Sequence, residues 1–222
     1  MKELDDTHLV KTEIKADTRS FSNTIAFDDH KIKFMTQRCV DKDVLDLGCV
    51  MHDPMNYKSK FWLHRALQEK SKSLLGIDLY SEGVGYLNDK GFNIEVGNVE
   101  SLQVGREFDV IVAGDIVEHI NNFEGFFTSC KRHLRENGRL LISSPNPWYW
   151  RYLTRAIFGG EIDIVNPEHS VWFCPKTLRQ LAERFGFIVC VVEYGLRFNR
   201  ELIMPLPKGL KNPSIFYELK VK

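Results

Sequence analysis

The sequence predicts an α/β fold, a three-layer sandwich with helices on both faces of a mostly parallel sheet. Three observations predict it. Apolar runs near residues 44–47, 73–78, 107–114 and 138–144 alternate with longer segments of helical spacing. Val44, Leu45 and Leu47, in a short apolar run closed by an acid and a glycine, suit a strand buried on both faces of a parallel sheet. Several runs end in an acid or a glycine, where open α/β sheets turn and hold their ligands.

The totals narrow the class. At 222 residues the chain fits one large domain with embellishments, and 43% hydrophobic residues are enough for a real core. Thirty basic side chains balance 30 acidic ones, so no net field favours nucleic acid or an acidic membrane surface. No run approaches the ~18 apolar residues of an integral membrane segment. The first residues are charged and lack the apolar core of a signal peptide. Cys39, Cys49, Cys130, Cys174 and Cys190 are scattered and never form a C-x-x-C pair. That pattern argues against disulfides and zinc, and for a reducing, cytoplasmic setting.

In order, residues 1–20 read as a loose polar arm and 22–40 as a helix lying on the sheet or over a ligand. Residues 1–40 are thus an arm and helix before a main domain of 41–222. A helix is expected over 55–72, with Phe61, Leu63, Ala66 and Leu67 at near-helical spacing. A second helix spans 81–90 and stops at Gly91. Strand three covers 92–96. After strand four a helix runs to Leu134, and 135–138 form a turn. Residues 147–165 break the alternation and gather Trp148, Tyr149, Trp150, Tyr152 and Phe158 with Arg151 and Arg155. Two readings stand: a cap over a substrate, an insertion at about 147–170, or a helix that merely covers the sheet end. A helix closed by Gly186, a strand at 187–194, a proline-containing loop at 197–213 and a strand at 214–221 complete the chain.

The chemistry gathers at the strand ends. Asp46 and Gly48 close the first run, and a glycine there lets a ligand lie on the backbone. Asp78 closes the second. A carboxylate offers acceptors without donors, which suits ribose hydroxyls, although the same acid would also serve as a helix N-cap. Asn98 follows the third, either accepting from an adenine amine or shaping a turn. The fourth ends in Gly-Asp-Ile-Val-Glu-His, residues 114–119, and the fifth in Ser-Pro-Asn-Pro, residues 144–147.

As an ordered set over about 44–195, these motifs resemble class I, Rossmann-like S-adenosylmethionine-dependent methyltransferases. The likeness is to the small-molecule type related to ubiquinone-biosynthesis O-methyltransferases. One departure stands out: Val50 occupies the second glycine position of the first motif. The resemblance implies a methyltransferase domain with seven strands, the last inserted antiparallel between strands five and six. It implies S-adenosylmethionine as cofactor, Asp46 and Gly48 at its amino-acid end, and Asp78 with Leu79 at the ribose. It places Asn98 and Val99 near the adenine. Asp115 orients substrate or cofactor, and no metal ligand set is evident.

Methyl transfer to a hydroxyl needs alignment, a dry pocket and a proton acceptor. Of seven histidines, His119 sits at the ligand edge and His169 lies in a segment expected to fold back over it. Either is a candidate catalytic base, and each also has a structural reading as a backbone or cap brace. The expected partner is a small-molecule acceptor such as a sugar or metabolite headgroup, with a lipid-linked acceptor as a further option. Asn146-Pro147-Trp148-Tyr149 is similar to the Asn-Pro-Pro-Tyr signature of amino methyltransferases, but follows strand five rather than four, so N-methylation is not inferred. Two alternatives remain: a nicotinamide-dependent oxidoreductase, which would require a full G-x-G-x-x-G, and a non-catalytic module that keeps the fold.

Overall fold

A computed structural model describes residues 27–51, 53–158, 168–196 and 203–222. The expected arm at 1–20, and parts of the expected cap and of the 197–213 loop, lie outside these residues. Seven strands form one sheet: β1 (Asp43–Leu47), β2 (Ser73–Asp78), β3 (Ile94–Val96), β4 (Phe108–Gly114), β5 (Leu134–Pro145), β6 (Phe187–Gly195) and β7 (Ser214–Val221). Their order is β3-β2-β1-β4-β5-β7-β6. The pairs among β1 to β5 are parallel, whereas β7 runs antiparallel to both β5 and β6. The expected antiparallel insertion is present.

Alternation along each strand sorts the core into two layers. Leu45, Ile111, Ala113, Leu140, Ile142 and Tyr217 face one side. There they meet α4 (Phe123–His133) and α6 (Pro175–Arg184) through Phe126, Phe127, Leu178 and Ala182. Val44, Val110, Val112, Leu141 and Phe216 face the other side, against α1 (Phe27–Arg38) and α2 (Leu63–Gln68) through Phe34, Met35 and Leu67. α3 (Ser81–Asn88) adds Val84 and Leu87 to a third cluster with Cys49 and Trp62. At the far edge Arg135 bridges Asp43 and Asp109 at 2.8 and 2.9 Å.

Three expectations shift. The 55–72 segment is a 3-10 turn at Pro54–Lys58 followed by the short α2. Asp53 caps the turn by accepting from the Met55 N–H, and the chain leaves helical geometry at Ser59, whose ψ is 132°. The expected turn at 135–138 lies inside β5, where the register with β4 shifts and Asn137 adopts a φ of 64°. The stretch before β7 contains a short helix, α7 (Lys208–Lys211). The remaining helix, α5 (Trp150–Ile157), is the described part of the expected cap. Among the described residues no helix is long and apolar enough to cross a membrane.

Candidate active site

The carboxyl ends of β1, β2 and β4 open on a cleft of about 640 Å3. That volume is ample for a nucleoside with an amino-acid tail. Gly48 turns the chain with a φ of 68° and donates its N–H to Ile77 O at 2.8 Å. A Cβ there would lie 2.6 Å from Ile116 Cδ1, so no larger residue fits without a shift. Two residues on, the Val50 N–H donates to Asp78 Oδ2 at 2.8 Å. The Val50 side chain packs against the Cys49, Trp62 and Val84 cluster. It lies where α3 presents Gly83, at which a Cβ would come within 2.8 Å of Val50 Cγ1. A glycine missing from the loop is matched by one in the facing helix.

Asp46 lines the cleft yet is 2% exposed, and its Oδ2 meets His64 Nδ1 at 2.9 Å. Burial pushes the Asp46 carboxyl up, against the His64 hydrogen bond that favours its charge. Asp78 accepts from both Val50 N–H and Tyr80 N–H, one on each oxygen, so it ties the first loop to the chain entering α3. Leu79, 67% exposed, and Val99 offer apolar surface on the same wall. Asn98 does not line this cleft: it is exposed, and its Oδ1 accepts from the Glu100 N–H, the turn-shaping alternative. Gly97 and Val99, its neighbours, do line it.

At the end of β4, Asp115 adopts a φ of 53°. Ser143 Oγ donates to its Oδ1 at 2.6 Å, and Lys31 Nζ, from α1, meets its Oδ2 at 2.8 Å. Burial opposes the charged form of Asp115, but Lys31 and Ser143 outweigh it and hold the carboxyl below its usual range. The next turn carries Glu118 and His119. The Ser170 N–H donates to the Glu118 carbonyl at 3.0 Å, which folds the segment after the cap back over this edge, as expected. His119 and His169 thereby meet edge to face, with ring centroids 4.7 Å apart. His119 lines the cleft, and His169 stands against it.

Behind them Glu118 is 2% exposed, and neither carboxyl oxygen has a hydrogen-bond partner among the described residues. Burial, reinforced by Asp115, pushes this carboxyl well above the usual range. Burial and then His119 lower His169, which keeps its imidazole neutral. One ligand atom from each of Glu118, His119 and His169 falls within 4.8 Å of the others. Two imidazoles and a carboxylate form a donor set able to hold a divalent transition metal. His169 joins the adjacent Glu118 and His119 only after folding, so sequence spacing gave no sign of the set. Asp46, Cys49 and His64 are similarly close, but there Asp46 and His64 already satisfy each other.

Lys31, His64 and Glu118 are site residues that sequence reasoning missed. Only Glu118 had a signal, its place beside His119 in the β4 motif. Asn146 is fully occupied: its amide donates to Gly209 O at 2.6 Å and Asn212 O at 2.7 Å, and its Oδ1 accepts from the Trp148 N–H. It anchors α7 and is not an amine-binding group.

The cleft fits an adenosyl sulfonium compound by the chemistry of its walls. Asp46, Asp78 and Asp115 suit an ammonium, ribose hydroxyls and a sulfonium, and Gly48 leaves the backbone bare. Comparisons agree. A family model described as "Methyltransferase domain" matches residues 24–190. The mitochondrial ubiquinone biosynthesis O-methyltransferase of Rattus norvegicus is 28% identical over 171 residues, covering 70% of this chain and 47% of that protein. A probable S-adenosylmethionine-dependent methyltransferase of Mycolicibacterium smegmatis is 25% identical, covering 73% of this chain and 59% of that protein. The chain spans about half the length of these relatives. Among solved structures, an SAM-dependent methyltransferase from Archaeoglobus fulgidus superposes with a TM-score of 0.63 at 16% identity, covering 88% of this chain and 92% of that one. The magnesium protoporphyrin IX methyltransferase of Synechocystis PCC 6803, solved with bound SAH, gives 0.59 at 13% identity, covering 88% and 82%. By its fold, its acid-lined cleft and a family match over most of its length, the chain belongs to the methyltransferase domain family, of the S-adenosylmethionine-dependent kind.

Proposed function

We propose that this chain methylates a hydroxyl of a small-molecule acceptor. The observation that carries this reading is the imidazole pair at the cleft: His119 on the wall, with His169 held neutral beside it. S-adenosylmethionine supplies a methyl group already activated on sulfur and leaves as the thioether. Asp78 positions the ribose, and Asp46, paired with His64 on the cleft wall, the amino-acid end. A ring nitrogen of His119 takes the hydroxyl proton as the new oxygen–carbon bond forms, and His169 supports that ring.

The cap reading supports a sizeable acceptor. Aromatic rings run in sequence from Tyr149 to Tyr152, Trp172 and His169, with centroids 5.4 to 6.2 Å apart. They join α5 to His169, which stands against the proposed base. The described part of the expected cap, residues 147–158, carries Trp148 at 54% exposure, an aromatic surface open to an acceptor. The domain division at residue 40 is a further part of this reading. The five free thiols support a reducing, cytoplasmic setting.

Incubation with methyl-labelled S-adenosylmethionine and a panel of phenols, sugars, amines and thiols tests the proposal. O-methylated product is expected, with kcat lowered about a hundredfold or more in His119→Gln and the KM for S-adenosylmethionine little changed. Label on amines or thiols alone would overturn hydroxyl transfer. Undiminished kcat in His119→Gln would overturn the base.

A further inference from the structure

α6 turns two stripes of side chains to two different surroundings. Leu178 and Ala182 face the sheet and are fully buried in its core. Thr177, Gln180, Leu181 and Arg184, three or four residues apart, share another face. That face lines a cavity of about 340 Å3, together with Phe123 at the start of α4 and the 171–173 segment. The cavity and the cofactor cleft have no lining residue in common.

The two hollows differ in charge. Asp46, Asp53, Asp78, Asp115 and Glu168 line the cleft. Among the described residues no carboxylate lines the cavity, and Arg184 is its one cation. Its walls are largely apolar. Phe173 is 7% exposed and meets Phe123 edge to face, with centroids 5.7 Å apart. Val171, Trp172 and Leu181 extend that surface. The Thr177 hydroxyl is engaged at the start of α6, where it accepts from the Cys174 N–H and donates to the Cys174 carbonyl. Gln180 and Arg184 are exposed and make no hydrogen bond or ion pair among the described residues. A guanidinium presents paired donors that match a carboxylate, and the Gln180 amide one turn away adds another donor. Apolar walls with a single cation complement an amphipathic acid, and the volume, near the lower end of ligand pockets, sets its size as small.

We infer that this cavity is a second ligand site, separate from the cofactor cleft, and that it takes a small aryl carboxylate. The aryl ring lies against Phe123, Trp172 and Leu181, and the carboxylate meets Arg184. Trp172 connects the site to the catalytic edge: its ring centroid is 6.2 Å from that of His169 and 5.9 Å from that of Tyr152. The site therefore stands one ring away from the imidazole pair.

Calorimetric titration with 3-phenylpropionate tests this, with 3-phenylpropylamine as the ligand of opposite charge. The wild-type protein should bind the acid with a Kd of about 1 mM or tighter, and the amine at least about tenfold more weakly. Saturating S-adenosylhomocysteine should leave the acid's affinity unchanged. Arg184→Gln should remove the preference for the acid, and Arg184→Lys should keep part of it. Gln180→Glu gives the arginine an anion on its own helix and should lower the acid's affinity about tenfold. Both positions are exposed, so the urea midpoint should stay that of wild type, which reports folding. No binding of the acid at about 10 mM, equal binding of the two ligands, or an undiminished preference in Arg184→Gln would each overturn the proposal. So would displacement of the acid by S-adenosylhomocysteine, which would place it in the cleft. Self-association of the wild-type protein that Arg184→Gln abolishes would give this face to a second copy instead. Should Arg184→Gln lower the urea midpoint, Gln180→Glu and the wild-type comparison still decide.

Discussion

Replacing His64 by leucine removes the imidazole that meets Asp46 at 2.9 Å, in a site where the two side chains are 1% and 3% exposed. Trp62 and Phe92 pack around that ring, with centroids 5.4 and 6.0 Å away, so leucine is accommodated. The Asp46 carboxyl is then left without its hydrogen-bond partner, and burial favours its protonated form. Its ordinary value is 3.8, and each pH unit above that costs about 1.4 kcal/mol. Removing one partner of a buried pair costs roughly 3–5 kcal/mol. The sign follows from burial raising this carboxyl in the folded chain. Stability tied to it is fully present below 3.8 and is lost as pH rises through the folded value. The variant's deficit should therefore be near 4 kcal/mol at pH 7 and fall to about 1 kcal/mol, a packing remainder, at pH 4. Adding Asp46→Asn should restore most of the loss at pH 7, because an amide carries no charge. Urea unfolding between pH 4 and pH 8 measures both. A deficit that does not vary with pH, or no recovery in the double variant, would refute the reasoning.

Other outcomes follow from the same geometry. Asp78→Ala should weaken S-adenosylmethionine binding at least about tenfold by calorimetry, since it removes the ribose acceptor and frees the Val50 and Tyr80 amides. Unchanged affinity would refute the ribose assignment. Val50→Gly, which restores the missing glycine, should lower stability by about 1–2 kcal/mol and leave affinity within about twofold, because the valine packs toward Gly83. A marked gain in affinity would show that the valine obstructs the cofactor. Asn146→Ala should cost about 3 kcal/mol in urea unfolding through two orphaned carbonyls, Gly209 and Asn212. A loss below about 1 kcal/mol would mean the amide is not what moors α7.

The parallel half of the sheet was legible because each strand carries its own signal. Val44 to Leu47 and Val110 to Ala113 are apolar on both faces, and that pattern survives any choice of partner. The antiparallel β7 came from resemblance alone, since nothing in its residues says which neighbours it pairs with. The helix over 55–72 was overread because apolar spacing continues across Ser59 to Phe61, where the backbone does not. At the site, acids at strand ends were visible because topology puts them on one edge. His64 and Lys31 were not, because each meets its carboxylate across two different elements. Periodicity within one element carries no information about such pairs. Glu118 was visible as a letter in a motif, and its burial without a hydrogen-bond partner among the described residues was not.

β7 lies between β5 and β6, and β6 pairs with no other strand among those described. During synthesis, then, β6 leaves the ribosome with nothing to join, and the outer side of β5 stays bare until residues 214–221 follow. The nascent chain carries two open borders that only one later segment can seal. Removing that segment would strand β6 and leave the remaining sheet prone to pairing with other copies of itself.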